Sequence, residues 1–303
     1  PNDQGFHAAS NSPVIINFRD KLKPIKITHN RQMNKSSPPI IASQNTVSQW
    51  WLSALLIAIN VGLFLWQISS GVDASRPSIQ DALAWGADYA PLTFLAEPFR
   101  LLSSMFFHFG MIHLMLDMWA LYLFGHISEQ MLGRVYFLGL YLLAGLMGSL
   151  LSGFLDLQNS LSMLQNAALN PEQLPNVGAG ASGAVMGLGA ALTMMSLLPV
   201  LKQQRFILDK KTLLMVMGIN LFIGFMTTGI NNAAHIGGML MGLFLGLMGY
   251  IALKYRKPRL LWLGLFMGSG LCLGMYLYCL ELLQVVAPLW QELMRVMHKQ
   301  VNV

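Results

Sequence analysis

The sequence has few charged residues: Asp, Glu, Lys and Arg make up only 11% of its 303 residues. Hydrophobic residues make up 54%, and the mean hydropathy is +0.52. A soluble globular domain carries roughly 25% charged residues. The shortage therefore excludes an ordinary soluble domain and predicts an integral, multi-pass membrane protein.

Cysteine is also scarce, since Cys272 and Cys279 are the two in the chain. They share one helix face within an apolar run, which suits neither a disulfide between them nor a metal site. The net charge of +6 comes from basic residues clustered between apolar runs, where membrane topology explains them. We therefore expect no nucleic-acid partner.

Seven apolar segments follow a polar, basic stretch at the amino terminus. Most approach the ~20 residues that span a bilayer as a helix, the structure that lipid requires of them. They are 50–69, 111–127, 133–155, 181–200, 212–228, 233–253 and 259–283. The predicted fold is an all-α polytopic bundle of seven transmembrane helices, made of a six-helix core and a carboxyl-terminal helix. The predicted parts are a tail at 1–48, the core at 49–255, the seventh helix at 256–283 and a short tail at 284–303.

The basic residues indicate how the chain is oriented. They concentrate in the amino-terminal tail and in alternate connections, around residues 134, 202–211 and 254–259. The positive-inside rule then places the amino terminus in the cytoplasm and the carboxyl terminus outside it. We expect a bacterial inner membrane, with an organelle membrane as the alternative.

Four polar side chains fall at one depth in this topology. The second, fourth and sixth helices run from outside to inside. His113 and Asp117 begin the second, Ser182 the fourth and His235 the sixth. At ~1.5 Å rise per residue, all four lie within about two turns of the outer face. Ionisable groups inside membrane helices usually face a cavity or a partner, so we expect these four to meet.

Ser182 and His235 could form a dyad in which the imidazole accepts the hydroxyl proton as the oxygen attacks a carbonyl. Gly238 and Gly242 lie on the face of His235 and would let the helices approach closely. The alternative is ordinary glycine packing, with His235 bonded to a carbonyl. His113 and Asp117, four residues apart, could bind a metal or stabilise an oxyanion. Because a third metal ligand is missing from the pattern, we favour the oxyanion.

Several motifs accompany these residues in order along the chain. They are Phe99-Arg100, His108 with His113 and Asp117, Gly125-xxx-Glu129-xxx-Gly133, Gly180-Ala-Ser182-Gly183, and Ala234-His235-Ile-Gly-Gly238. Together they resemble the rhomboid family of intramembrane serine proteases over about residues 50–253. A seventh helix after six resembles the six-plus-one form of that family.

The resemblance implies that Ser182 is the nucleophile and His235 the general base, with His113 and the Ser182 backbone N–H stabilising the oxyanion. It implies a single-span membrane protein as substrate, cut near the outer boundary of the bilayer after a small residue. No metal and no organic cofactor are expected. The sequence predicts no oligomeric state.

Two positions depart from the family pattern. Asp117 stands where the family usually has Asn, whose amide donates to the oxyanion. A protonated Asp117 could donate, whereas an ionised one would repel the developing charge. We hypothesise an active enzyme whose rate falls as Asp117 ionises; the alternative is that Asp117 only bonds His113. Met186 occupies a position that is often aromatic in the family, where the ring packs on the base histidine.

The remaining candidates are supporting residues. Gly180 and Asn231 could line the cavity, and Asn231 could also donate to the oxyanion. Arg100 is predicted to hold the first loop by charged hydrogen bonds. Glu129 is predicted to be structural, at the membrane face opposite Ser182. His108 is expected to bond within its loop.

Two other functional classes stay open. A proteolytically silent rhomboid relative that binds membrane clients is favoured by Asp117 alone. A transporter or channel could use His113, Asp117 and His235 as an ion path, but these groups cluster near one face and none continues inward.

Overall fold

The structure is a computed structural model that describes residues 47–167, 170–198, 210–226 and 232–301. It is 83% helical, which confirms the all-α prediction. The predicted tail at 1–48 lies outside the described residues except for its last two. The long helices are α1 (Trp51–Ser69), α5 (Met111–Leu132), α6 (Arg134–Asn166), α7 (Ser182–Leu197), α8 (Lys210–Met226), α9 (Asn232–Tyr255) and α10 (Arg259–Val301). The first loop contains the short helices α2 (Ile79–Ala84), α3 (Ala90–Leu95) and α4 (Arg100–Ser103).

Each of the seven predicted apolar segments overlaps one of the long helices. Within the described residues, α1, α6, α9 and α10 are long and apolar enough to cross a membrane. The segments Arg100–Phe106 and Met111–Leu132, bent by 96°, give a fifth span if counted as one. The other two, α7 and α8, have 16 and 17 residues. The polytopic membrane fold is confirmed, while the count of seven spans and the division into parts stay predictions.

Two helices run well past their predicted ends, since α6 continues beyond 155 to Asn166 and α10 beyond 283 to Val301. The extensions pack on each other. Trp290 of α10 is fully buried and its Nε1 donates to Ser160 Oγ of α6 over 2.8 Å. Leu157 is fully buried as well. These two helix ends are stabilised by packing on each other. The hydropathy of the sequence, which predicts segments that contact lipid, therefore does not predict them.

The first loop is held together by Arg100. Its Nε donates to Glu97 Oε2 over 2.7 Å, and its Nη1 donates to the carbonyls of Leu83 and Ala87 over 2.8 Å each. These bonds connect the ends of α2 and α4 across the loop. A short antiparallel ladder of β1 (Asp88–Tyr89) and β2 (Val177–Gly178) then ties this loop to the segment that leads into α7.

Glu129, near the end of α5, is buried against the start of α1. Its carboxylate accepts from the backbone N–H of Leu52 over 3.2 Å and from that of Ser53 over 2.8 Å. The Ser53 hydroxyl donates to it over 2.8 Å. The first N–H groups of a helix have no partner within it, so a carboxylate there caps α1. Glu129 lies at the end of α5 opposite His113.

Helices α7 and α9 make the closest backbone contact in the core. Gly238 and Gly242 of α9 lie against the carbonyl oxygens of Gly183 and Gly187 of α7, and a methyl group at either α9 position would overlap them. Because this contact begins within one turn of Ser182 and His235, it fixes the separation of the two helix starts that carry these side chains.

Candidate active site

Ser182 is the first residue of α7 and lines a cavity. The chain reaches it through Gly180, whose φ of +121° is a conformation that favours glycine. A Cβ at Gly180 would lie 2.9 Å from His113 Nε2 and 3.3 Å from Asp117 Oδ2. Gly180 therefore lets the loop before the serine lie directly against this pair.

His235 lies in the first turn of α9 with 4% of its surface exposed. Its Nε2 is 2.8 Å from Ser182 Oγ, although 53 residues separate the two in sequence. Nε2 can accept the hydroxyl hydrogen when the ring carries its own hydrogen on Nδ1. Nδ1 is buried and has no hydrogen-bond partner within the described residues. The described geometry is thus a serine–histidine pair without a third orienting group.

His113 is held in one tautomer by its loop. The Phe109 backbone N–H donates to His113 Nδ1 over 3.3 Å. The neutral ring therefore carries its hydrogen on Nε2, which lies 3.6 Å from Asp117 Oδ2. His113 also lines the cavity beside Ser182, so its Nε2–H is a hydrogen-bond donor available at the site.

His108 belongs to the same cluster, which the sequence does not predict. Its side chain is buried and contacts Asp117 instead of a group in its own loop: its Nε2 lies 3.2 Å from Asp117 Oδ2. The backbone N–H of Ala181 approaches the same nitrogen at 3.4 Å. The signal in the sequence is Gly110, whose φ of +99° allows the turn that brings the rings of His108 and His113 to 5.3 Å.

Asp117 is buried, and its Oδ2 faces both imidazoles. The geometry fits two protonation states. If His108 Nε2 is unprotonated, its one lone pair accepts from the Ala181 N–H or from a protonated Asp117. If His108 Nε2 carries the hydrogen, it donates to an ionised Asp117. The predicted pairing of Asp117 with His113 is therefore shared with a second histidine.

The other predicted residues lie around this cluster or apart from it. Met186 is buried one turn after Ser182. Asn231 lies outside the described residues. Arg100 and Glu129 belong to the contacts of the first loop and of α1 and are not part of the serine site. Within the described ranges, no three His, Cys, Asp or Glu side chains are grouped to hold a metal ion.

The cavity has walls from the first loop, the segment before α7, and helices α5, α6 and α9. Side chains and backbone that line it include Ser182, Gly180, His113, Asp88, Ser149 and Ser152. A hydroxyl with a base beside it and a hydrogen-bond donor in the same cavity, here Ser182, His235 and His113, are the groups that acyl transfer requires. Asp88 and the two α6 serines were not predicted from the sequence as cavity residues.

Comparison with known proteins gives consistent matches. Residues 95–252, just over half of the chain, match a family model described as a Rhomboid domain. RHOMBOID-like protein 5 of Arabidopsis thaliana is 32% identical over 189 residues, 60% of this chain and 56% of that protein. Rhomboid protease GluP of Bacillus subtilis is 31% identical over 192 residues, 63% of this chain and 33% of that protein. Rhomboid protease AarA of Providencia stuartii is 25% identical over 240 residues, 75% of this chain and 82% of that protein.

The chain thus spans 56% of RHOMBOID-like protein 5, 33% of GluP and 43% of RHOMBOID-like protein 6 of the same plant, and a larger part only of AarA among these four. The relatives come from a plant and from bacteria, so they do not favour the predicted bacterial inner membrane over an organelle membrane.

Proposed function

The chain belongs to the rhomboid family, and on that premise we propose that it is an intramembrane serine endopeptidase with Ser182 as nucleophile and His235 as general base. The observation that carries the proposal is the 2.8 Å distance from Ser182 Oγ to His235 Nε2. Two relatives, GluP and AarA, bear the name rhomboid protease, which supports the reaction class.

In the proposed reaction, His235 Nε2 takes the hydroxyl hydrogen as Ser182 Oγ bonds to the substrate carbonyl carbon. The resulting oxyanion accepts hydrogen bonds from His113 Nε2–H and from the Ser182 backbone N–H, which begins α7 and has no partner within the helix. His235 then passes the proton to the leaving amine as the C–N bond breaks. Water, deprotonated by His235, hydrolyses the acyl-enzyme and restores Ser182.

The proposed substrates are single-span membrane proteins, cut in or near the transmembrane segment. The site supports this because Ser182, His113 and His235 all lie in first turns of apolar helices at the same end of the bundle. The amino terminus is proposed to be cytoplasmic, which places the site toward the opposite side of the membrane. No cofactor takes part in the proposed reaction.

The test is cleavage of a single-span reporter in liposomes by the purified chain and by Ser182→Ala and His235→Ala. We expect each substitution to reduce the rate at least about 1,000-fold, since each removes a member of the reacting pair. Matched controls are Ser196→Ala, near the other end of α7, and His126→Ala, near the other end of α5; both should keep parental rates. Cleavage that persists in Ser182→Ala would refute the assignment.

One observation favours a second function, a rhomboid relative that binds membrane clients without cutting them. Asp117 presents a carboxyl group where an ionised oxygen would oppose oxyanion formation. The same assay separates the two functions. If the folded parent leaves uncut a panel of reporters that an active rhomboid cuts, and yet binds them, the client-binding function is the better one.

A further inference from the structure

A second acidic side chain, Asp88, lines the same cavity as Ser182. It lies on β1, pairs with Gly178 of β2 four residues before the serine, and has only 7% of its surface exposed. Its Oδ1 accepts a hydrogen bond from the Thr93 hydroxyl over 2.6 Å. The two-residue ladder therefore fixes a carboxyl group in the wall of the cavity that holds the nucleophile.

Asp88 has no cationic partner among the described ion pairs. Arg100 acts on it electrostatically, but the Arg100 guanidinium already donates to Glu97 and to two carbonyls. Burial raises the pKa of Asp88 to about 7. Because this folded-state pKa is above the ordinary value, the carboxyl destabilises the fold increasingly as the pH rises toward 7. A buried carboxyl with a perturbed pKa in a cavity that also holds a nucleophile is a candidate for a functional role.

A second carboxyl lies close to Asp88. Asp156 follows Ser152 by one turn of α6, and the two carboxylates are near enough to repel each other when both are ionised. Ser149 and Ser152, on the same helix as Asp156, line the cavity together with Asp88 and Ser182. The cavity that holds the nucleophile is thus also lined by a carboxyl group and by two further hydroxyl groups.

We infer that Asp88 is a specificity-determining residue and that the cavity accepts a lysine or arginine side chain of the substrate close to the scissile bond. The inference rests on the proposed function, since it concerns the same site. An ammonium or guanidinium group would supply the donors and the charge that the two carboxyls lack. A substrate carboxylate would bring a further acidic group to this pair, so the same feature rejects acidic residues. The small residue expected before the cut leaves the neighbouring positions for the basic one.

The experiment is a scan of one cleaved reporter, with Lys, Met, Glu or Gln placed in turn at each position within about three residues of the cut. Met matches the length of Lys without charge, and Gln matches the shape of Glu. For the parent, we expect kcat/KM to favour Lys over Met by about ten-fold in at least one position, as for a charge pair in a partly buried site. Glu should be disfavoured relative to Gln at the same position.

In Asp88→Asn, which keeps the shape and the acceptor for Thr93, the ratio of Lys to Met should approach one. Asp73→Asn is the matched control, because it removes an exposed carboxylate from the same loop and should leave the ratio unchanged. Each ratio is measured within one variant, so a general loss of activity or stability does not imitate the result. Asp88→Ser provides a second variant should Asp88→Asn fold poorly.

Binding of the same peptides to Ser182→Ala separates this inference from the proposed function. A preference for Lys that is lost in Ser182→Ala/Asp88→Asn supports the inference even if the parent cuts nothing. Equal cleavage and equal binding of the Lys and Met peptides at every position would overturn it and leave the proposed function intact. So would a preference that survives in Asp88→Asn.

Discussion

At the scale of single residues, Asp117 is the side chain on which the proposed chemistry most depends. Its Oδ2 is 3.2 Å from His108 Nε2 and 3.6 Å from His113 Nε2. If Asp117 carries a hydrogen, it can donate a hydrogen bond toward the site. If Asp117 is ionised, it presents a negative charge to the site. The rate of a reaction that builds an oxyanion nearby should therefore follow the protonation of Asp117.

We expect Asp117→Asn to cleave faster than the parent at each pH where Asp117 is ionised, because the amide donates a hydrogen bond where the carboxylate presents a negative charge. Loss of one oxyanion donor reduces kcat by about 100- to 1,000-fold, which sets the size of the difference at the alkaline end. The measurement is kcat against pH for both proteins in the same detergent. Coincident profiles would contradict the hypothesis.

Asp73→Asn is the control for this profile as well. The backbone N–H groups of Arg76 and Ser75 lower the pKa of Asp73, so this exposed carboxylate is already ionised at neutral pH. Its removal changes one charge in the first loop without adding a titration in the range measured. Its profile should match that of the parent.

The sequence predicts the residues on helices better than those in loops. Depth along parallel helices was enough to bring Ser182, His113, Asp117 and His235 together, because rise per residue converts sequence position into height. The same reasoning gives no height for Asp88, whose place depends on its ladder with Gly178. His108 likewise reaches the cluster only through a turn that helical geometry does not describe.

At the scale of elements, the contact of α7 with α9 determines the distance between the reacting groups. Glycine spacing in the sequence predicted that these helices approach closely, since small residues four apart share one face. The observed neighbours are backbone carbonyls rather than flexible side chains. A residue larger than glycine at position 238 or 242 therefore cannot be accommodated by a rotamer change of its neighbours.

We expect Gly242→Ala to lower the free energy of unfolding by about 1–3 kcal/mol, because its methyl group would overlap the Gly187 carbonyl and force the helices apart. Cleavage should slow as well, since Ser182 and His235 would separate. The measurements are thermal unfolding in detergent and the rate of reporter cleavage.

Gly274→Ala is the matched control, because the site of its added methyl on α10 has no atom within 4 Å. A glycine within a helix that has room for a methyl gains up to about 1 kcal/mol on substitution by alanine. If Gly242→Ala and Gly274→Ala change thermal unfolding and cleavage rate equally, the contact between α7 and α9 does not determine the geometry of the site.

At the scale of the whole molecule, α10 is packed into the same hydrophobic core as the helices that carry the site. Cys272, Cys279 and Trp290 are all buried in that core. The ring of Phe94, in the first loop, stacks on Tyr276 at 6.0 Å and tilts against Trp290 at 6.5 Å. Hydropathy predicted that α10 exists, but these contacts depend on chain segments almost two hundred residues apart and leave no pattern in the sequence.

We expect Trp290→Ala to destabilise the protein by about 3–5 kcal/mol, the usual result of removing a fully buried aromatic side chain. It also removes the donor to Ser160. Trp262→Ala, at the other end of α10, is the matched control because 62% of that side chain is exposed. Thermal unfolding of the two variants checks the prediction, and a similar small shift for both would contradict it.

The bond between Glu129 and the start of α1 has a consequence for biogenesis. The partner of the Leu52 N–H is 77 residues further along the chain. Ribosomes deliver the amino-terminal part first, so α1 enters the bilayer before its cap has been translated. Until α5 arrives, headgroups or water must satisfy its first N–H groups. The capping of α1 is therefore completed only after α5 has been made, and a chain truncated before Glu129 would leave this helix end without its cap.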